Sequence, residues 1–545
     1  MEKRLSAFFD PPTAEAAGLV EMFRAPGPAS GEDPLITSLE YDSRKVTRGS
    51  LYFALPGLHA DGHSFIPDAL RRGAAAVVYQ HEIPQAELAA YSADYGPAVY
   101  LRVRDSRFAM SPAAASFWGK PSEHLTVIGV TGTEGKSTVT SLIWQLLRLS
   151  GKKAGFISTV QYSLGGDAEW NPEHQTTPEA PAVQAALAAM RENGAEYAVL
   201  ESSSHGLSPR TNRLGDVAFS AGVMTNVTHE HLEFHGTWEQ YRSDKANLFR
   251  ALALRGEVVP AFGVVNADDP SADYFSRAAG GRAVYRYSVR GGEADLSVEA
   301  LESGAGGNRC RVLVRGGAGR PGETGQSGEA GPRSVIIEDR LPGAFNAGNV
   351  LASLLVLRGL LGGPVERFIP LVGELKPVRG RMSAVDKGQP FEVLVDYAHT
   401  PSSFAAIFPP LGERIRRAGG RIISVFGSAG ERDTAKRPAQ GKIAREWSDI
   451  VVLTDEDPRG EDPMVILREI AAGCSSGGAV NQGDMWLIPD RSLAIRKAFS
   501  LARKGDLVLL LGKGHEASII YEGHILPWDE IAEAERALGE LGYGG

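Results

Sequence analysis

The 545-residue chain has only two cysteines, Cys310 and Cys474, far apart in sequence. That excludes a disulfide framework and any multi-cysteine metal centre, and it points to a reducing compartment. Long apolar runs are also missing. No segment reaches the roughly 18 consecutive apolar residues that a membrane-spanning helix needs, and the N-terminal stretch lacks the basic start and apolar core of an export signal. Positive charge is not in excess: 57 Lys and Arg stand against 66 Asp and Glu, a net charge of -9, so no basic stripe would coat a nucleic acid. These absences lead to an expected cytoplasmic protein with no nucleic-acid partner and no membrane span. What is present is globular in kind. With 43% hydrophobic and 23% charged residues the chain can bury cores, and its length is too great for one, so several domains are expected.

The most informative stretch is Val127-Ile128-Gly129-Val130-Thr131-Gly132-Thr133-Glu134-Gly135-Lys136-Ser137-Thr138, a buried strand turning through glycines into a helix. Glycines let backbone N–H groups converge on an anion, Lys136 adds a point charge, and the Ser137 hydroxyl suits Mg²⁺. The helix predicted from Thr138 to Leu149 aims its positive end at the same point. The general phosphate-loop pattern asks for glycine where Val130 stands, so this is a shortened loop, with an incidental turn as the alternative.

Around this loop the chain reads as α/β, three domains, a central P-loop ATPase with a mostly parallel sheet and a C-terminal Rossmann-like doubly wound unit. Residues 1–122 form a first, small α/β unit and 123–378 the nucleotide domain. Strand-like runs at Tyr197 to Leu200, Ala218 to Thr225 and Gly263 to Asn266 alternate there with helical stretches. Residues 379–545 repeat the rhythm with strands at Phe391 to Val395, Arg421 to Phe426, Ile450 to Leu453 and Asp506 to Leu511. Glycine is so frequent between Ser303 and Ser334 that a mobile surface insertion is expected there.

Polar clusters follow several of these strands, where ligands collect in open α/β sheets. Glu201-Ser202-Ser203-Ser204-His205 puts a carboxylate where it can hold Mg²⁺ opposite Ser137; a capped turn is the alternative. His229, His231 and His235 tempt a zinc reading, but the spacing is not that of the H-E-x-x-H helix, and one histidine serving Mg²⁺ fits better. Asn346 and Asn349 share one helix face and offer the paired donor and acceptor that an adenine edge requires, or else cap the helix. Asp396 follows a strand and suits a ribose hydroxyl. In the last unit the loops Gly427 to Pro438, Asp455 to Asp462 and Gly512 to Glu516 converge, carrying Arg432, Arg459, Lys513, Glu456, Asp457 and Glu516. Both signs of charge there fit a zwitterionic substrate, with a solvated rim as the alternative.

In this order, G-T-E-G-K-S-T, E-S-S-S-H, N-V-T-H-E-H-L-E-F-H, D-K-A-N-L-F, F-N-A-G-N, G-R-M, D-Y-A-H-T-P, D-P-R and G-K-G-H-E resemble the Mur ligase family over about residues 40 to 520, closest to its MurE type. The resemblance implies an N-terminal domain for a UDP-sugar, a central ATPase and a C-terminal domain that brings an amino acid. It implies ATP and Mg²⁺, with Gly132, Thr133, Glu134, Gly135, Lys136, Ser137, Thr138, Asn346, Asn349, Arg381 and Asp396 around the nucleotide. Lys136, Glu201, His231 and Lys245 become the catalytic set, and Ser137, Glu201, His231 and Lys245 the metal ligands. Lys245 matches the lysine carbamylated in this family. Ser43 and the stretch Leu58 to Ala60 would meet the UDP moiety; Thr176, Thr177, Ser203 and either Arg210 or Arg213 would hold the muramoyl-dipeptide. The implied partners are UDP-N-acetylmuramoyl-dipeptide and a diamino acid, and the implied state is a monomer. Other ligases of the superfamily, such as folylpolyglutamate synthases, and a non-catalytic nucleotide-binding scaffold are the competing readings.

Three acidic residues depart from the family pattern: Glu134 replaces an asparagine, and Glu230 and Glu233 replace aspartates around His231. In the amino-acid loop, Glu456-Asp457-Pro458-Arg459 stands where the diaminopimelate type has D-N-P-R. Arg459, with Arg432, would partner a distal carboxylate and Asp457 an ammonium, while Gly512 and Glu516 complete the site. That set favours meso-diaminopimelate, with lysine and ornithine as alternatives.

Overall fold

The computed structural model describes residues 2–25, 32–57, 60–171, 175–228, 232–254, 261–304, 306–315, 331–474 and 483–544. Three sheets with flanking helices follow one another along the chain.

The first sheet runs in the order Leu19–Arg24, Val99–Val103, Ala76–Tyr79, Ser50–Phe53, Ser38–Glu40, antiparallel only at the Leu19–Arg24 edge. The helix Ser106–Phe117 covers one face, and Ile66–Arg71 with Gln85–Tyr95 covers the other.

The middle sheet has eleven strands. From one edge they are Glu169–Trp170, Gln161–Ser163, Ala154–Ile157, Tyr197–Glu201, Thr126–Thr131, Phe219–Met224, Phe262–Asn266, Ala283–Ser288, Leu296–Gly304, Gly307–Val314 and Arg333–Asp339. The run from Ala154–Ile157 to Leu296–Gly304 is parallel throughout, and antiparallel strands close both edges. Successive strand residues serve opposite cores: Val127 packs with Leu187 and Leu248 on one face, Ile128 and Val130 with Leu142 and Leu354 on the other. Covering both faces is what a parallel sheet requires, and it explains why these strands read as unbroken apolar runs.

The helix Lys136–Leu149 buries Val139, Leu142, Ile143, Leu146 and Leu147, the i, i+3, i+4, i+7, i+8 stripe of an amphipathic helix, in the same core as the helix Asn346–Leu361. Each such side chain contributes roughly 1.5–3 kcal/mol on burial, so the loop at the start of this helix stands on a rigid base.

The expected irregular insertion over 303–334 is corrected in part. Gly307–Val314 is a strand, paired with Leu296–Gly304 on one side and Arg333–Asp339 on the other. Cys310, Val312 and Val314 are buried while Arg309 and Arg311 face out, the alternation of a half-buried antiparallel strand. The glycines of 316–330, which dominated the composition, lie outside the described residues.

The last sheet has the order Ser383–Ala384, Glu392–Asp396, Leu507–Leu511, Ile422–Phe426, Ile450–Leu453, Met485–Leu487, parallel except at Ser383–Ala384. Pro401–Arg417, Lys436–Trp447 and Pro463–Cys474 pack on one face, Arg491–Leu501 and Glu530–Glu540 on the other, the doubly wound arrangement. No helix among the described residues is long and apolar enough to cross a membrane.

Candidate active site

Strand Thr126–Thr131 lies between Tyr197–Glu201 and Phe219–Met224, with Val130 opposite Glu201 and Thr131 opposite Met224. The three following loops therefore leave the sheet side by side at its carboxyl edge. Gly135, at φ 82°, sits in the left-handed region from which the helix Lys136–Leu149 starts, and a Cβ there would lie 2.9 Å from Asn349 Oδ1. At Gly132 a Cβ would collide with Thr225 Oγ1. The loop is held from the neighbouring strand: Thr133 donates its backbone N–H to the Asn226 carbonyl (2.9 Å), Glu134 its N–H to Asn226 Oδ1 (2.9 Å), and Thr225 its hydroxyl to the Glu134 carbonyl (2.6 Å). Lys136 Nζ folds back onto the Thr133 carbonyl at 2.8 Å.

Ser137 Oγ is 3.0 Å from Glu201 Oε1, and the second carboxylate oxygen accepts the Thr159 N–H at 2.8 Å. A hydroxyl and a carboxylate oxygen meeting here are donors of the kind that a hard divalent cation takes, so the residues present fit Mg²⁺. Lys245 is buried in the helix Trp238–Ala253; its Nζ donates to the Gly132 carbonyl at 2.6 Å and stands 4.5 Å from the centre of the Tyr241 ring. His229, Glu230 and His231 lie outside the described residues, as does the side chain of Glu233.

A cavity of about 500 Å³ opens over the loop. Thr133, Glu134, Gly135, Lys136, Ser137 and Thr138 form its floor, and Thr176, Glu201 and Asn349 line it as well. The opposite wall comes from the last unit, through Arg381, Asp396, Tyr397 and His399. Arg381 Nη2 reaches 3.4 Å from Ser137 Oγ, its guanidinium lies over the Tyr397 ring, and its Nε is buried without a partner. Asp396 accepts backbone N–H groups from Met382 (2.7 Å) and Ala398 (2.8 Å); burial pushes its carboxyl above the usual range, against the pull of Arg381. Asn346 is buried one turn before Asn349 and accepts its amide N–H at 2.8 Å, so Asn349 faces the cavity and Asn346 supports it from behind. Gly132 and Lys245 likewise stand beneath the cavity rather than on its surface.

Thr177, Ser203 and Arg213 form a cluster beside Glu201. Thr177 Oγ1 donates to the Glu201 carbonyl (2.9 Å) and accepts from both the N–H and the hydroxyl of Ser203 (3.0 Å each), while Arg213 holds the Thr177 carbonyl (2.8 Å) and Glu179 (2.8 Å). Arg210 is exposed and bonds the Phe234 carbonyl instead, so Arg213 is the arginine beside the cluster.

In the last unit the three polar loops converge. Gly430 donates its N–H to the Asp457 carbonyl (2.8 Å), and buried Arg437 ties Glu461 (2.9 Å) to Glu469 (2.7 Å). The expectation that Asp457 would receive a substrate ammonium meets an occupied carboxylate: Lys513, fully buried, donates to Asp457 (2.8 Å) and to Glu516 (2.6 Å). A buried ammonium needs such partners. Glu456 packs beside Gly512, whose added Cβ would lie 3.1 Å from Glu456 Oε2, an oxygen buried without a partner. Arg459, at φ 55°, keeps a buried Nε with no partner, and Arg432 lies on an exposed loop.

Ser43 begins a short turn at the carboxyl edge of the first sheet, capped by Asp42; Leu58 and His59 lie outside the described residues. At the same edge Asp61, His63 and His81 come together. His63 Nε2 accepts the Gln80 N–H (3.1 Å), so Nδ1 carries the ring proton and donates it to Asp61 (2.6 Å). That tautomer leaves no lone pair for a metal, and the group braces two loops.

Thr225, Asn226 and Tyr397 carry roles in the site that the sequence did not assign to them. Each follows a strand, so the carboxyl-edge rule that singled out Glu201 would have found them too.

The chain matches the Mur ligase family, catalytic domain, over residues 35–117, the Mur ligase middle domain over 130–357 and the Mur ligase, glutamate ligase domain over 380–514. A UDP-N-acetylmuramyl-tripeptide synthetase of Treponema denticola is 48% identical, the match covering 92% of this chain and 94% of the relative. A UDP-N-acetylmuramoyl-L-alanyl-D-glutamate–2,6-diaminopimelate ligase of Geobacillus kaustophilus is 37% identical over 94% and 96%. Among solved structures, one titled as that diaminopimelate ligase superposes with a TM-score of 0.58 at 26% identity, covering 93% of this chain and 96% of the other. A phosphate loop, a facing carboxylate and an arginine reaching in from the last unit thus lie on a chain whose relatives match 92–94% of its length, and the protein belongs to the Mur ligase family, in its MurE branch, as an ATP-dependent amide ligase.

Proposed function

We propose that the chain adds a diamino acid, meso-diaminopimelate before lysine or ornithine, to UDP-N-acetylmuramoyl-L-alanyl-D-glutamate in the cytoplasm, as a monomer, for peptidoglycan synthesis. The observation that carries the reading is the cavity floored by the loop Thr133 to Thr138 and walled by Arg381 and Asp396, two units meeting over one phosphate site. The acceptor is taken from the names of the relatives above.

The γ-carboxylate of the D-glutamyl residue attacks the γ-phosphorus of ATP, releasing ADP and leaving an acyl phosphate. The amine of the incoming amino acid then attacks the acyl carbon, phosphate departs, and the amine loses its proton. Carboxylate and triphosphate are both anions, so charge neutralisation is the main demand. Lys136 meets it by leaving the Thr133 carbonyl for the phosphates, and Arg381 by adding a guanidinium from the facing wall. Mg²⁺ on Ser137 and Glu201 would supply the remaining positive charge. Lys245 would act as a carbamate: CO₂ on Nζ, with two protons released, would turn +1 into -1 and replace the ammonium now on the Gly132 carbonyl with an oxygen donor suited to Mg²⁺. Thr177, Ser203 and Arg213 hold the peptide part of the acceptor. Water would destroy the acyl phosphate, and closure of the last unit excludes it.

Diaminopimelate comes first because Arg459 keeps an unpartnered N–H for a distal carboxylate while the charge of Asp457 is already taken by Lys513. Phosphate release should require the UDP-dipeptide acceptor and be fastest with diaminopimelate when diaminopimelate, lysine and ornithine are compared. Lys245→Ala should lower turnover by about 100-fold or more, partly recovered by added short carboxylates. Release without acceptor, or an unimpaired Lys245→Ala, would refute the reading.

A further inference from the structure

Beneath the cavity, one imidazole ties together the segments that carry the expected metal ligands. His235 is fully buried; its Nδ1 lies 2.7 Å from Asp244 Oδ2 and its Nε2 3.0 Å from Ser204 Oγ. Ser204 stands three residues after Glu201, in the turn Ser204–Leu207 that Ser203 caps. Asp244 directly precedes Lys245 on the helix Trp238–Ala253, and its other oxygen accepts from Gln240 Nε2 at 2.8 Å. His235 itself ends the turn Leu232–His235, four residues after His231. Its ring also packs edge-on against Tyr241 at 5.2 Å, the ring that lies under Lys245 Nζ and whose hydroxyl is 3.1 Å from Thr133 Oγ1.

The chemistry of this junction is restrictive. An Nδ1–H given to a buried carboxylate fixes the tautomer, so Nε2 accepts the Ser204 hydroxyl proton, and the two bonds form together only when all three segments hold their places. Resting on the Mg²⁺-dependent ligase reading above, we propose that His235 is a positioning residue that sets the spacing between the Glu201 and Lys245 segments and thereby tunes divalent-cation binding, without touching metal or substrate. A side chain needed only for the fold would change stability alone. A positioning residue changes metal affinity in protein that remains folded.

The test uses the full-length protein and Mn²⁺ as the probe, with free Mn²⁺ read by electron paramagnetic resonance in the presence of ADP, and ADP affinity measured separately without metal. His235→Ala should weaken Mn²⁺ binding about 10-fold or more, the usual effect of losing a group that orients a ligand, and leave metal-free ADP affinity unchanged. His235→Asn, whose amide can still donate to Asp244, should recover part of the loss. If His235→Ala does not fold, Ser204→Ala, which deletes one bond, and His235→Asn decide by the same measurement. Unchanged Mn²⁺ affinity in the folded variants, even with a lowered melting temperature, overturns the proposal. Wild-type protein that binds Mn²⁺ with ADP but releases no phosphate with the UDP-dipeptide acceptor would instead count against the ligase reading.

Discussion

Asp455 follows the strand Ile450–Leu453, with Oδ2 accepting the Tyr521 hydroxyl at 3.1 Å and Oδ1 buried without a partner. Burial pushes its carboxyl up to about 6, against Tyr521 and Arg491, which favour the charged form. A carboxyl raised on folding helps the fold most below its unfolded value of 3.8, and that help is lost as pH rises through about 6. Asp455→Asn is therefore expected to melt higher than the parent at pH 8, by about 2–4 °C for each kcal/mol recovered in a unit of this size, with the gap narrowing by about half at pH 5. Melting curves at the two pH values check this, and a variant less stable at pH 8 would contradict it. At this scale the sequence showed which polar residues lie at or beyond a strand end, as with Lys136, Ser137 and Glu201. Pairing was not visible. That Lys513 would take Asp457 and Glu516, or that Lys245 would lie under the loop on the Gly132 carbonyl, depends on segments brought together only by the fold.

Among the elements, the strand, loop and helix from Thr126 to Leu149 were legible because apolar run, glycines and amphipathic stripe agree with one another. The strand Gly307–Val314 was not, since neighbouring glycines hid a period-two pattern that only its two partner strands make useful. The phosphate loop gives the sharper test. Gly135→Ala adds a Cβ at φ 82° facing Asn349 Oδ1, which costs about 1–2 kcal/mol in backbone strain alone and disturbs the Asn349 side chain. In the free protein the loop can relax to relieve that strain, and the phosphates must then restore it, so ADP affinity by titration calorimetry should fall about 10-fold, since 1.4 kcal/mol is a factor of ten. Gly166→Ala, where an added Cβ meets nothing within 4 Å, should leave it unchanged. Equal affinities in both variants would mean that the loop tolerates what its geometry forbids.

Across the whole molecule, Glu179 couples two units. Its buried carboxylate accepts from Arg107 of the first unit (3.0 Å) and from Arg213 of the middle unit (2.8 Å), beside the cluster proposed to hold the acceptor peptide. Breaking a buried pair by removing one partner costs about 3–5 kcal/mol, because the remaining charges lose their counterpart. Glu179→Gln should raise KM for the UDP-dipeptide about 10-fold while KM for ATP stays put; steady-state kinetics with each substrate varied separates the two, and a parallel rise in both would assign Glu179 to the nucleotide side. The order of three α/β units was legible from the rhythm of strands and helices, whereas this contact between them, joining residues 72 positions apart, was not.

The register that sets Val130 opposite Glu201 and Thr131 opposite Met224 has one further consequence. Phosphate chemistry in this enzyme is indexed to a hydrogen-bonded ladder, where slipping one residue would turn every side chain to the wrong face. In the reaction proposed above, choice of amine would be indexed to the loops Gly427 to Pro438 and Asp455 to Asp462, which hang from a different sheet. On that proposal, exchanging those loops should change selectivity for the incoming amino acid and leave the energy-transducing half of the molecule as it stands.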